Sequence, residues 1–347
     1  VGTCWLFPRG LPWREILDLL QQETPLKPPF PELPNWSENF CLSTYDPKSG
    51  IGLWLHLGRW RRDLNVWRET VVVTWPDGTV SGYRAFGNAR AAETGPGGPN
   101  FAIRVERPNH RLNYSFLGGV QRVPSEVLKA GLQTDGARHL LGFELTFDSE
   151  ADIWDLHKVG TSQKFLGTGH IEQVGRVRGQ ISFDGQVFDY DSMGNRDHSM
   201  GPRDTPTLGT HQWLQGYFEN GVRFLVYDAV IRGNAAPVFC EAVIYEGDTL
   251  YEGRLEYPWR LADVADAQKD FGFKIHYENG TADIRTAGIQ NTAYLSFTAP
   301  NDHYIGVFQG GTPPLTLLEQ PTAYTLNGDI KGFGWLERTA PGIIGFD

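Results

Sequence analysis

The sequence predicts an all-β protein: two antiparallel β-units behind a helical and proline-rich leader. Three observations predict it. Most of the chain alternates apolar and polar residues with period two, as in "ETVVVTWPDGTVSGYRAF" and "GRVRGQISFDGQVFDYDSMG". Asp-Gly, Gly-Asp or Asn-Gly pairs at 77–78, 184–185, 247–248 and 279–280 separate these segments, and such pairs supply the positive φ that tight hairpins require. Helical periodicity is confined to two segments. Many antiparallel strands at this spacing indicate sandwiches or up-and-down barrels. One closed barrel of 347 residues would be unusually large, so two units are the economical reading.

In chain order, "WREILDLLQQE" (13–23) places Ile16, Leu19 and Leu20 on one helical face after Pro12. "TPLKPPFPELPNW" (24–36) holds five prolines in thirteen residues and reads as an extended linker. The expected organisation is therefore a leader over 1–40, a first β-unit over 41–200 and a second over 201–347. "SEVLKAGL" (125–132) adds a helical turn, and "RLADVADAQKDF" (260–271) reads as the second helix. The three-glycine "GPGG" (95–98) lacks the lysine and the strand-to-helix setting of a phosphate cradle and is a loop.

Composition narrows the function classes. A formal charge of −10 argues against nucleic acid or an anionic membrane as partner. No run approaches the length of a spanning helix, and the first residues lack the basic start of a secretory signal. Cys4, Cys41 and Cys240 are odd in number and far apart, which points to a reducing cytoplasm. Aromatic content is 13%, including 11 Trp, enough to line a barrel interior or an apolar ligand cavity as well as an ordinary β-core.

Charge concentrates in "GNRDHSMGPRD" (194–204), where Gly194 and Gly201 each precede an Arg-Asp by one residue. If 195–199 is extended, Arg196 and His198 share one face and Asp197 and Ser199 the other. Gly201-Pro202 then turns the chain so that Arg203 and Asp204 face back. Two readings follow. Arg196, Arg203 and the aspartates could pair crosswise and fix how the β-units dock. Alternatively, Asp197 or His198 moves a proton beside an aromatic pocket, which requires the carboxyl to be desolvated and the arginines engaged elsewhere. A zinc site from His198, His211 and an aspartate matches no familiar ligand spacing, so no metal is expected.

Further candidates flank this motif. His211 and Trp213 share a face of "THQWLQGYF", and His56 shares a face with Trp54 in "LWLHLG". Tyr227-Asp228 puts a carboxylate inside an apolar strand, where it must be paired or neutral; an arginine of the motif is the expected partner. His303 and Tyr304 could form a further wall.

"GNRDHSMGPRD" resembles the G-x-RDHSWG-x-RD motif of the tandem-lipocalin group that includes hydroxyneurosporene synthase (carotenoid hydratase)-like proteins. "HIEQVGRVRGQISFDGQVFDYDSMG" (170–194), "VVVTWPDGTVSGYRAF" (71–86) and "YTLNGDIKGFGWLERT" (324–339) extend the similarity over most of the chain. Met200 stands where that motif has Trp, and Thr205 where an aromatic is common, so a pocket there would be roomier. The resemblance implies two lipocalin-like barrels in tandem, an apolar and often isoprenoid ligand, and no cofactor.

The reading that results is a cofactor-independent acid–base enzyme: a hydratase, dehydratase, isomerase or cyclase for a hydrophobic terpenoid-like or aromatic molecule. Asp197 is the first choice as proton donor and His198 the second; Arg196, Arg203 and Asp204 position them, and His56, Trp54, His211, Trp213, Tyr227 and Asp228 contact the substrate. The alternative is a carrier or sensor that binds a lipid or isoprenoid without transforming it. A purely structural accessory protein is the third.

Overall fold

The computed structural model describes residues 20–23, 25, 36–60, 62–88, 95–131, 136–149, 151–156, 169–202, 208–231, 237, 239–256, 260–298, 302–307 and 315–340. The chain forms two closed antiparallel barrels in tandem, as the alternation predicts. The first contains β1 (Trp36–Asp46), β2 (Ile51–Trp60), β3 (Asp63–Thr74), β4 (Thr79–Asn88), β5 (Phe101–Arg107), β6 (Arg111–Pro124), β7 (Arg138–Asp148), β8 (Trp154–Asp155), β9 (Gly169–Phe183) and β10 (Gln186–Pro202). Eight strands make the ring, in the order β10-β1-β2-β3-β4-β6-β7-β9, and β9 pairs β10 to close it; β5 and β8 are attached at its side.

The second barrel contains β11 (Leu208–Phe218), β12 (Arg223–Ile231), β13 (Phe239–Glu246), β14 (Thr249–Glu256), β15 (Gly272–Tyr277), β16 (Gly280–Ile289), β17 (Ala293–Thr298), β18 (Asp302–Ile305), β19 (Leu315–Leu326) and β20 (Ile330–Ala340). Its ring runs β16-β15-β14-β13-β12-β11-β20-β19 and closes through β16 and β19; β17 and β18 extend from β19. All four dipeptide turns lie between paired strands, and Gly78 (φ +80°) and Gly185 (φ +83°) take the left-handed conformation that such turns require.

Each barrel has its own interior. Phe40, Leu42, Leu55, Leu57, Val71, Phe101 and Phe143 are among the residues filling the first, and Phe224, Val226, Ile244, Phe273, Ile284 and Leu336 among those filling the second. The largest buried cluster lies outside both. It joins the outer faces of the two barrels, with Cys41, Trp54, Val72 and Val174 from one and Trp213, Leu225, Tyr245, Leu317 and Trp335 from the other. Polar contacts cross the same seam. Gln215 donates to Ser43, the Asn291 amide donates to the Trp75 and Thr79 carbonyls, and the Ser125 hydroxyl donates to the Thr292 carbonyl.

Helix is scarce, and one expectation needs correction. Residues 125–130 form a helix, α1, as expected (Ser125–Ala130). In 260–271, however, only Val264–Asp266 is helical, as a single 3₁₀ turn capped by the Asp263 carboxylate. The buried residues Leu261, Val264 and Ala267 recur every third position, which fits three residues per turn rather than 3.6. The expected leader helix and the proline-rich linker lie almost wholly outside the described residues; residues 20–22 are helical. Among the described residues no helix is long and apolar enough to cross a membrane.

Candidate active site

Strand β10 is extended through 194–202, so its side chains alternate between the interior of the first barrel and the seam. Arg196 and His198 take the interior, opposite Leu42 and Phe40 of β1. Asp197 takes the seam, opposite Cys41 of β1 and Glu172 of β9.

On the interior face, Arg196 is buried and makes an ion pair with Glu23 of the leader. It also donates to Gln173 Oε1 at 2.6 Å and stacks over Phe147, 5.4 Å from the ring centre. Glu23 in turn accepts the Asn109 backbone N–H at 2.8 Å. His198 stacks on Phe40 at 3.9 Å, with Nε2 3.6 Å from Glu38 Oε1. Arg59 donates to the other Glu38 oxygen at 2.5 Å and lies over Trp67. Burial raises the Glu38 carboxyl, but the Arg59 charge and His198 together bring it below its usual value.

The seam face is different in kind. Direct cross-strand neighbours place Glu172, Asp197, Cys41 and His56 in one row across β9, β10, β1 and β2. A matching row, Glu319, Glu337, Trp213 and Tyr227, crosses β19, β20, β11 and β12 of the second barrel. The rows meet. The Trp54 indole donates to Glu337 at 3.0 Å, and His170 lies edge-on to Tyr227 at 5.9 Å. His56 lies 4.7 Å from His303, which also abuts Trp54 and Phe297.

The first-barrel side of the seam holds a hydrogen-bonded trio. His170 Nε2 is 2.9 Å from Glu172 Oε1 and 3.3 Å from Asp197 Oδ2. Asn195 donates to the second Glu172 oxygen at 2.6 Å, and the Cys41 backbone N–H donates to Asp197 Oδ1 at 2.8 Å. Burial lowers the His170 imidazole, but its two carboxylate partners outweigh that and push it up to about 8. Burial raises Glu172 to about 7; His170 opposes this and the Asp197 charge adds to it. The trio thus holds protons that exchange near neutral pH, where acid–base chemistry is most effective. It could also hold a divalent ion, since a ligand atom of each residue lies within 4.8 Å of the others; among the described residues it is the one such group.

These shifts have a consequence for stability. Both groups bind protons more tightly in the folded chain than at their usual values of 6.5 and 4.5. Their stabilisation is complete below those values and is lost as pH rises through about 7 and about 8. The urea midpoint of the protein is therefore expected to fall between roughly pH 4.5 and pH 8. In the His170→Gln/Glu172→Gln double variant that fall should shrink; an unchanged slope would assign it to other groups.

Of the residues expected from sequence, Asp197, His56, Trp54, His211, Trp213 and Tyr227 come together at the seam. Arg196 and His198 do not join them, because they occupy the opposite face of the same strand. Arg196 engages Glu23, with no role in orienting Asp197, and so corrects the expected crosswise pairing. Asp228 is fully buried, but its bidentate partner is Arg260, at 2.6 and 2.7 Å, rather than an arginine of the motif. Arg203 and Asp204 lie outside the described residues. Sequence reasoning missed His170, Glu172, Glu319 and Glu337.

A family model described as "Domain of unknown function (DUF7064)" matches residues 21–341. No curated protein matches the chain by sequence. Among solved structures, an AttH-like protein from Nitrosomonas europaea superposes with a TM-score of 0.59 at 11% identity, covering 91% of this chain and 98% of that one. CghA gives 0.52 at 11% identity when solved alone and 0.51 at 10% with Sch210972, each covering 88% of both chains. Kievitone hydratase from Nectria haematococca gives 0.49 at 11% identity, covering 87% of this chain and 88% of that one. At these identities the likeness is one of fold.

Proposed function

We propose that this chain, which belongs to the DUF7064 family, is an acid–base enzyme that binds a hydrophobic terpenoid-like or aromatic molecule in the seam between its barrels. Hydration, dehydration, isomerisation and cyclisation all need what the seam supplies: a group that gives or takes a proton beside aromatic faces that steady a cationic centre.

One observation carries this reading. Among the described residues, polar atoms without a protein hydrogen-bond partner gather at the seam beside its aromatic rings: His170 Nδ1, His211 Nδ1, Trp213 Nε1, His303 Nδ1 and Glu319 Oε1. Each such buried atom costs about 1–3 kcal/mol, so a structural joint would have no reason to collect them. A bound molecule with an apolar body and a hydroxyl or carbonyl would satisfy several at once. CghA, which shares the fold, has been solved with the small molecule Sch210972, in keeping with a ligand here.

Asp197 is the member of the trio that reaches solvent, with 13% of its side chain exposed, whereas His170 and Glu172 are buried behind it. That exposure favours Asp197 as the group that touches substrate, with His170 handing protons to and from it and Glu172 holding His170 in position. A barrel protein that only carries a lipid would need no such exchangeable proton.

The test is incubation of the purified protein with a panel of terpenols and terpenoid alkenes in heavy water, followed by mass spectrometry. The expected result is turnover: an alkene that is protonated gives a product carrying one solvent-derived deuteron at carbon, and a terpenol that is dehydrated gives an alkene lighter by one water. Tight binding of the same molecules with no product would instead favour the carrier reading.

A further inference from the structure

The second-barrel side of the seam holds chemistry that the Asp197 trio does not use. Glu319 of β19 and Glu337 of β20 are direct cross-strand partners and leave the sheet on the same face. Glu319 is fully buried and receives the Trp335 indole N–H on Oε2 at 2.6 Å. Glu337 receives the Trp54 indole N–H on Oε2, and His211 Nε2 lies 2.8 Å from its Oε1. Among the described residues no arginine or lysine pairs with either carboxyl. Arg338, the nearest in sequence, occupies the opposite face and donates to Gln320 and to the Ala267 carbonyl.

Among the described residues, one oxygen, Glu319 Oε1, has no donor. Its neighbour across the ladder is another carboxyl, which can only accept unless it is protonated. Double ionisation of two carboxylates this close and this dry is strongly disfavoured at rest; one proton between them removes the repulsion and satisfies the orphan oxygen.

We propose that Glu319 and Glu337 share one proton and form a second acid–base station, the donor that acts opposite the His170–Asp197 station on the same bound molecule. The proposal rests on the enzymatic reading above. Tyr227 stands between the stations, its ring 5.9 Å from His170 and 6.2 Å from His211. Burial first, and then the Glu337 charge, push the Glu319 carboxyl well above its usual range. The other titratable and charged groups around this face are His211 from β11, Tyr227 from β12, Cys41 from β1, His56 from β2, Arg68 from β3, Arg84 from β4 and His303 from β18, with Asp197 and Glu172 across the seam.

For hydration of an alkene, the shared proton adds to one carbon as the π bond breaks and a C–H bond forms. Water then attacks the cation, a C–O bond forms, and the proton it sheds passes to the Asp197 station. Exchange with solvent returns both stations to their starting state. Dehydration of an alcohol retraces these steps: the Asp197 station protonates the leaving hydroxyl, and the Glu319–Glu337 pair takes the proton from the adjacent carbon. No oxidant or reductant is needed in either direction.

Infrared spectroscopy of the full chain tests proton sharing without a substrate. At about pH 8.5, above the values for Glu172 and His170, wild type should retain the carbonyl band of a protonated carboxylic acid. Glu319→Gln should lose it. Glu337→Gln, which removes the repelling partner, should keep the band but lose it at lower pH than wild type, and serves if the first variant does not fold. A wild-type spectrum without the band, or one unchanged in Glu319→Gln, overturns the proposal.

With a substrate from the panel above, Glu319→Gln should lower turnover at least 100-fold and abolish the alkaline limb of the pH profile, by the usual effect of removing a proton donor. Full turnover in that variant also overturns the donor role. Because the infrared result needs no turnover, failure of this proposal and failure of the enzymatic reading are separable.

Discussion

Replacing Asp197 with Asn is expected to lower kcat by about 10²–10⁴-fold while leaving KM within a few-fold, the usual cost of removing a positioned proton-transfer group. The substitution is close to isosteric. The introduced amide still offers a carbonyl oxygen to the Cys41 N–H, so the β1–β10 ladder is undisturbed. What disappears is the ionisable group and one of the two carboxylates that hold the His170 imidazole up to about 8. His170 should then titrate lower, and the pH–rate profile of the residual activity should move to lower pH with it. The measurement is product formation from a panel substrate across pH, paired with ligand binding to show that the seam still fills. Full turnover in the variant would remove Asp197 from the chemistry and leave the trio as a brace between barrels.

That Asp197 leaves its strand on the face opposite Arg196 and His198 was legible in the sequence, whereas its neighbours on other strands went unread, and the difference is physical. Period-two alternation in 195–199 is a local property, and it separates Asp197 from Arg196 and His198 as observed. Pairing across strands is a register property. Yet two registers could have been counted from turns already visible. Folding the chain about Asp184-Gly185 sets Glu172 opposite Asp197, and folding about Gly328 sets Glu319 opposite Glu337, nine residues away on either side. Those carboxylates were therefore within reach of a sequence argument.

The seam itself was not. Which outer faces of two barrels meet depends on how both rings close, and β10 must pair with β1, some 150 positions earlier, for the first to close at all. The same distance hides the partner of Arg196. Glu23 is 173 positions away and meets the barrel where residues 21–23 lie against Asn109. Asp228 shows a milder form. Its strand position demanded a cation, but nothing in an alternating pattern distinguishes Arg260 from the arginines of the motif.

Arg196→Met should cost about 3–5 kcal/mol of folding stability, the largest stability effect expected from a single substitution around this motif. The argument concerns what is left behind. Both side chains of the Arg196–Glu23 pair are buried, at 1% and 0% exposure, so water cannot take the place of the guanidinium. Removing it strands the Glu23 carboxylate with the Asn109 N–H as its described donor, leaves Gln173 Oε1 without its 2.6 Å bond, and removes the cation from the Phe147 face. Methionine fills much of the volume, so the loss is electrostatic rather than a cavity. Glu23→Gln in the Arg196→Met background should restore a large part of the loss, because the stranded charge is gone; the double-mutant cycle measured by urea unfolding isolates that term. Asp197, on the opposite face of β10, should keep its turnover in the double variant. A loss below about 1 kcal/mol in Arg196→Met would mean that the pair is hydrated and the leader only loosely applied to the barrel.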